Sequence, residues 1–348
     1  MNILPRISAV IAILLLFSTN YSQGQINKNN IAVLDSLLET QSPRPFNGVV
    51  LITQDDDVLY QKALGFKNFE QRTALEANDQ FVINSNSKQI TAALILLEVE
   101  KGTINLQAPI NTYLPKLKQD WAYTVTVHQL LNHTHGIAEL NKPLLFQPGS
   151  DFKYGNLSNV LLGKIITTVT KKSYTEVAEA LFKKLGMNHS VANAARLAPR
   201  LVSGHINESN KFSIAKKIKK NTASIPAAGV IATVQDLAIW NKSLHGGKIL
   251  KPESYAKMIT STVLAQHNAF GKEKTGYGYG LRINDLGKTK YIGHTGLGDG
   301  YASLNVYFPE SRISLIVLEN QSNTDMSLSY YFGTEIKEII LKSLNVIK

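Results

Sequence analysis

Cysteine is absent from all 348 residues. Its absence removes disulfides, cysteine-based zinc sites and cysteine lipidation, and it suits an exported chain that avoids disulfide chemistry. Long apolar runs are scarce. The run near the N terminus, Ile7 to Phe17, is too short to cross a bilayer core easily. There is no internal repeat and no low-complexity linker. Charged residues make up 18% of the chain against 44% hydrophobic, a balance that excludes disorder and reads as soluble and globular. Acids are in deficit: 26 Asp and Glu against 37 Lys and Arg leave a net charge of +11. For an exported chain, anionic envelope polymers or lipid surfaces suit that charge better than nucleic acid.

What is present begins with a short address. Arg6 precedes the apolar run, small residues follow it, and Ser22-Gln23-Gly24 offers a cleavage site. This layout predicts a secretory signal peptide over 1–24 and a mature chain over 25–348, periplasmic or secreted. The alternative is an uncleaved N-terminal anchor.

Element signals sort into two kinds. Residues 28–41 read as an amphipathic helix, and "FNGVVLITQDDDVLYQKALGF" as two strands around an acidic turn. Residues from about 85 to 190 are mostly helical in pattern. Strand signals return in "YGYGLRIN", "KYIGH", "YASLNVYF" and "RISLIVLEN", and Ile336, Ile339, Ile340 and Leu344 mark a closing helix. An isolated N-terminal hairpin is not stable, so it must pair with the C-terminal strands. The predicted class is α+β: an antiparallel sheet flanked by terminal helices (about 28–84 and 225–348), with an inserted, mostly helical region (about 85–224). The lysine-rich "KFSIAKKIKKN" at 211–221 reads as a solvated loop or helix face.

Ser-x-x-Lys, which brings a hydroxyl and an amine to one face when helical, occurs at Ser85, Ser150, Ser213 and Ser254. Ser85 and Lys88 stand at the start of a helical stretch free of Gly and Pro until Gly102, where unpaired N–H groups favour developing negative charge, and Ile90, Leu94 and Leu97 form its buried stripe. Ser87 adjoins Lys88 and points elsewhere. Ser150 lies in a Pro-Gly loop, Ser213 in the lysine run, and Ser254 in an ordinary amphipathic helix. A serine nucleophile needs a base, a second proton-transfer group and an oxyanion hole. "FKYGNLSNV" carries the chain's single Tyr-x-Asn, Tyr154 and Asn156, and "YIGHTGLGDGY" carries His294-Thr295-Gly296. His128, His133 and His135 match no common zinc spacing, so neither a metal nor a cofactor is expected.

Ser-x-x-Lys, Tyr-x-Asn and His-Thr-Gly in that order resemble the serine β-lactamase and penicillin-binding protein family, nearest its class C β-lactamase, DD-carboxypeptidase and esterase branch. "VTVHQLLNHTHGI", "FQPGSDFKYGNLSNVLLGKII" and "PAAGVIATVQDLA" extend the likeness over roughly residues 30 to 345. The resemblance implies that Ser85 attacks a carbonyl, Lys88 eases its deprotonation, Tyr154 shuttles the proton and Asn156 orients Lys88 and substrate. The N–H groups of Ser85 and Leu297 would form the oxyanion hole, with Thr295 and Gly296 on the substrate-binding strand. His294 stands where most β-lactamases have lysine, and the Lys-Thr-Gly at Lys274 competes for that role. The Ser85 to Tyr154 span is short for the class C branch, implying a trimmed helical part and an open cleft. The implied substrates are D-Ala-ended peptides, β-lactams or small esters and amides, handled by a monomer. A penicillin-binding sensor, acylated without turnover, is the alternative.

Overall fold

A computed structural model describes residues 26–193, 198–215, 222–266, 269–271, 274–285 and 287–345. The expected signal peptide and most of the lysine-rich run lie outside these residues. Among them no helix is long and apolar enough to cross a membrane.

The helices are α1 Lys28–Glu39, α2 Ser87–Glu100, α3 Val127–Leu131, α4 Leu157–Thr170, α5 Tyr174–Leu185, α6 Val234–His245, α7 Pro252–Met258 and α8 Tyr331–Asn345. The strands are β1 Gly48–Gln54, β2 Asp57–Leu64, β3 Phe66–Asn68, β4 Thr73–Ala74, β5 Phe81–Val82, β6 His205–Glu208, β7 Lys211–Ile214 and β8 Ile231–Ala232, then β9 Val263–Leu264, β10 Gly276–Tyr277, β11 Arg282–Asn284, β12 Tyr291–Gly298, β13 Tyr301–Phe308, β14 Ile313–Glu319 and β15 Gln321–Asn323. Among the described residues the main sheet has eight antiparallel strands, ordered β2-β1-β14-β13-β12-β11-β10-β9. The N-terminal hairpin therefore joins the C-terminal strands through β1 and β14, with Val50 opposite Val317. The fold class matches the sequence reading.

Both faces of this sheet are covered, which explains its near-continuous apolar strands. Along β1, Val49 and Leu51 join the core shared with the central helices, while Val50 and Ile52 join a second core with Leu34 and Leu38 of α1 and Phe332, Ile336 and Ile340 of α8. The capping box of α1, Asn27 with Asn30, satisfies two end N–H groups. Thr233 stands three residues before Asp236 in a capping-box spacing, and it caps α6, accepting from the Asp236 N–H at 3.1 Å. The reciprocal half of that box is not formed, because the Asp236 carboxylate binds the His189 N–H and the Ser190 hydroxyl instead.

Two local expectations change. Helix α2 has no exposed face over its first ten residues: Ser87 to Leu96 are all buried. The helix threads between sheet and helices, so its polar side chains need internal partners. Gln89 binds Asn86 and the Trp240 indole N–H, and Thr91 binds Tyr174 and the Pro226 carbonyl. Lys211 to Ile214 form the strand β7, paired with β6 rather than lying in a loop or helix, and β6 in turn pairs in parallel with β15.

Candidate active site

The centre of the molecule is a sharp turn. Strand β5 ends at Val82, Asn84 takes a left-handed φ of 47°, and Asn84–Asn86 form a 3₁₀ turn that leads into α2. Ser85 sits in this turn, two residues before the α-helix in which its sequence places it, and Lys88 lies in the helix's first turn. A left-handed asparagine costs backbone energy and persists only where surroundings hold it. Here the Asn84 amide donates to the carbonyls of Gly298 at 3.1 Å and Tyr301 at 3.4 Å. Ser303 donates to the Ile83 carbonyl at 2.8 Å and accepts from the Asn86 amide at 2.8 Å. The hairpin of β12 and β13 thus holds the turn. Gly296 permits the contact, because a Cβ there would stand 2.2 Å from the Ile83 carbonyl oxygen.

Ser87 turns away from Ser85, donating to the Asn84 carbonyl at 2.7 Å and accepting from the Val230 N–H at 3.1 Å. Ser150 is exposed and bonded to the Gln147 carbonyl. Ser213 is exposed on β7, and its partner Lys216 lies outside the described residues. Ser254 is buried in α7, while Lys257 pairs with Glu253 at the surface.

Lys88 is fully buried. Its Nζ donates to Ser85 Oγ at 3.0 Å, Asn156 Oδ1 at 2.8 Å and the Ala227 carbonyl at 2.9 Å. All three acceptors are uncharged. Burial, reinforced by the nearby Arg282 cation, pulls the lysine pKa down to about 7. Asn156 begins α4 but forms no side-chain cap; this favoured cap residue spends its amide oxygen on Lys88. Tyr154 lies beside them, with Lys88 Nζ 4.9 Å from its ring centroid. Burial raises the Tyr154 pKa to about 12, against the opposing pull of a hydrogen bond with Ser85 and the Arg282 charge. At neutral pH it is a phenol that shares a hydrogen bond with Ser85.

His294 is buried on β12, its ring stacked 6.0 Å from Tyr154. Its Nδ1 lies 2.6 Å from the Thr295 carbonyl, which can only accept. The proton therefore belongs on Nδ1, and Nε2 accepts from the Tyr277 hydroxyl at 3.1 Å. Burial, then the Arg282 and Lys88 cations, push its pKa well below the usual histidine range. A neutral His294 cannot supply the positive charge that a lysine would bring. Lys274 is exposed ahead of β10, and the strand order places β11 between β10 and β12. Leu297 is half-buried on β12, one residue beyond the contact that Gly296 makes with the Ser85 turn.

Sequence reasoning missed four contributors. Arg282 on β11 is buried, with its guanidinium carbon 5.6 Å from the Tyr154 ring centroid and 5.7 Å from that of Tyr277. A charged residue inside the strand-like "YGYGLRIN" was the available signal. Tyr277 orients His294, Tyr330 hydrogen-bonds Thr295, and the Ala227 carbonyl holds Lys88. His133, also left-handed at φ 62°, packs 4.8 Å from Tyr154, and its carbonyl accepts from the Lys153 N–H at 2.8 Å. Among the described residues no group of three or more His, Cys, Asp or Glu side chains is placed to hold a metal.

The family model for Beta-lactamase matches residues 40–332. This chain belongs to the β-lactamase family. Penicillin-binding protein 4* of Bacillus subtilis (strain 168) is 24% identical over 91% of the chain and 76% of its own length. The chain spans 64% of the length of another relative, Protein flp of Staphylococcus aureus (strain MW2), at 24% identity over 87% of the chain. Among solved structures, the octameric penicillin-binding protein homologue from Pyrococcus abyssi is 29% identical, with a TM-score of 0.78 over 90% of this chain and 77% of that one. D-amino acid amidase from Ochrobactrum anthropi SV3 has a TM-score of 0.80 at 20% identity, covering 92% of this chain and all of that one, 100%. As a β-lactamase-family protein the chain is a serine hydrolase.

Proposed function

We propose that Ser85 is the nucleophile of an exported acyl-transfer hydrolase acting on D-Ala-ended peptides, β-lactams or small esters and amides. The observation that carries this reading is the 3.0 Å contact from Lys88 to Ser85, made by an amine whose pKa is about 7. An amine poised near the working pH is both populated as a base and strong enough to accept a proton. Lys88 takes the proton of Ser85 as Oγ attacks the substrate carbonyl. The N–H groups of Ser85 and Leu297 receive the oxyanion. Tyr154, a neutral phenol, gives its proton to the leaving amine or alkoxide and is reprotonated by the Lys88 ammonium. Water then attacks the acyl-enzyme by the reverse route, releasing acid and restoring Ser85. Asn156 holds Lys88, and Thr295 and Gly296 line the substrate strand. His294 acts as a neutral spacer against Tyr154, and Arg282 supplies the cation for a substrate carboxylate.

Residues 1–24 act as the signal peptide, leaving a mature chain over 25–348 in the envelope or medium. Its sheet part spans about 28–84 and 225–348, around a mostly helical part over about 85–224. Every group in the scheme is on one chain, which supports a monomer as the working unit. The test is mass spectrometry after penicillin or fluorophosphonate treatment: an adduct on Ser85, lost in Ser85→Ala and kept in Ser87→Ala. An adduct on Ser150, Ser213 or Ser254 defeats the assignment. Repeated turnover of a chromogenic ester, rather than a burst of one equivalent, separates an enzyme from a sensor. A natural product whose N-terminal sequence begins at Met1 overturns cleavage at 24 and favours the uncleaved N-terminal anchor.

A further inference from the structure

A cavity of about 1030 Å³ lies along the helical part of the molecule. That is the upper end of the range of small-molecule sites. Its walls are mainly apolar, formed by Leu114, Leu117, Leu140, Val160, Tyr174 and Pro226. Three cations, Lys116, Lys118 and Lys164, are exposed at its rim, and its described lining residues include neither Asp nor Glu. Ser85, Lys88, Tyr154, Asn156 and His294 are not among those lining residues. On α4 the lining runs from Val160 through Gly163 to Thr167 and Thr168, away from Asn156 at the start of that helix.

Apolar walls favour an aliphatic body, and lining charges that are all lysine favour a negatively charged head. Lysine stems add apolar surface while their ammonium groups stay in water, which suits a ligand with its head at the mouth. A polar anionic polymer would leave the apolar walls unused, and a neutral hydrocarbon would leave the rim charges unused. We propose that this cavity binds an aliphatic carboxylate, chain inward and carboxylate among the three lysines, as a site separate from the Ser85 centre. It is a neighbour of that centre all the same. Tyr174 of its wall bonds Thr91 at 2.7 Å, Thr91 also donates to the Pro226 carbonyl at 2.7 Å, and the next carbonyl, of Ala227, holds Lys88.

The test is calorimetric titration of the purified chain with dodecanoate below its micelle concentration. Saturable binding of one molecule per chain is expected, unchanged in Ser85→Ala, so the outcome does not depend on the function proposed for Ser85. Val160→Trp fills the cavity and should abolish binding. Changing Lys116, Lys118 and Lys164 together to Glu should weaken it about tenfold or more, equivalent to about 1.4 kcal/mol shared among three rim charges. Dodecyltrimethylammonium should bind at least tenfold more weakly than dodecanoate. The lysine changes are on the exposed surface, so that variant carries the test if Val160→Trp does not fold. Absence of saturable dodecanoate binding, equal affinity for the cationic amphiphile, loss of binding in Ser85→Ala, or indifference to the lysine changes overturns the proposal.

Discussion

Two buried cations in this chain live under opposite rules. Arg44 is almost fully buried near the start of β1 and forms a two-pronged pair with Glu319 at the end of β14, at 2.6 Å and 2.9 Å. The same guanidinium donates to the carbonyls of Leu328, Pro45 and Ser329. Lys88 is buried just as deeply but meets three neutral oxygens and no carboxylate. A buried charge is tolerated when paired and hydrogen-bonded; with only neutral dipoles, it gives up its proton more readily. Arg44 therefore ties the approach to β1 to two stretches near the other end of the chain, at Glu319 and at Leu328 and Ser329, while Lys88 is left with a pKa of about 7. One cation is spent on holding the fold, and the other is kept in a state suited to proton transfer.

The largest expected effect breaks the comparison at Lys88. Lys88→Met should slow acylation of Ser85 by about 10⁴-fold or more, since groups that act as a unit lose nearly everything when one is removed. Stopped-flow measurement with a chromogenic β-lactam or ester checks it. A variant within tenfold of wild type would assign the base elsewhere. Removing the partner of the other cation should do the reverse. Glu319→Ala strands Arg44 and should cost about 3–5 kcal/mol of stability, read as a lower urea midpoint. The folded fraction should still acylate within a few-fold of the wild-type rate, because neither Arg44 nor Glu319 is among the groups assigned to the chemistry.

pH sharpens the same contrast. The proposed base is neutral Lys88, so acylation of a neutral ester should fall about tenfold per pH unit below about 7 and level off above it. The stability consequence has a definite sign. Lys88 has a folded pKa near 7 and an unfolded value near 10.4. Below the folded value the ammonium is buried and its penalty is complete. As pH rises from 7 to 10, the folded state sheds a proton that the unfolded chain keeps, and the penalty is relieved. Wild type should therefore gain stability relative to Lys88→Met over that window, and parallel urea midpoints across it would refute the burial argument. The smallest effect concerns His294. Because its pKa lies well below the usual range, His294→Asn should leave the midpoint of the pH–rate profile within about half a unit of wild type. A limb near 6.5 that vanishes in this variant would show that His294 titrates after all.

Much of the architecture was legible in the chain. The N-terminal hairpin could not be stable alone, which required partners from the C-terminal strands, and β1 pairs with β14. Ser85, Lys88, Tyr154, Asn156 and His294 were named from three motifs and the family their order resembles, and the structure brings them together. Arg282 was not, because a single arginine in a strand reads as an outward-facing charge until the fold shows which way the strand faces. The buried face of α2 was underestimated for a related reason: periodicity registers one apolar side, while Gln89 and Thr91 are polar residues whose burial depends on Trp240, Tyr174 and Pro226 from distant segments.

The sequence by itself determined composition, element types and which side chains could supply a hydroxyl, an amine and a phenol. Those depend on residue identity and on contacts a few positions apart, which a linear pattern records. Protonation states were decided only by tertiary structure. Lysine and histidine carry ordinary pKa values in an open chain. It is the enclosure of Lys88 by neutral oxygens, and of His294 between Tyr277 and the Thr295 carbonyl, that leaves the first an amine near neutrality and the second an uncharged ring. Desolvation is a property of what surrounds a group in three dimensions, and those neighbours come from residues as far apart as 88, 156 and 227.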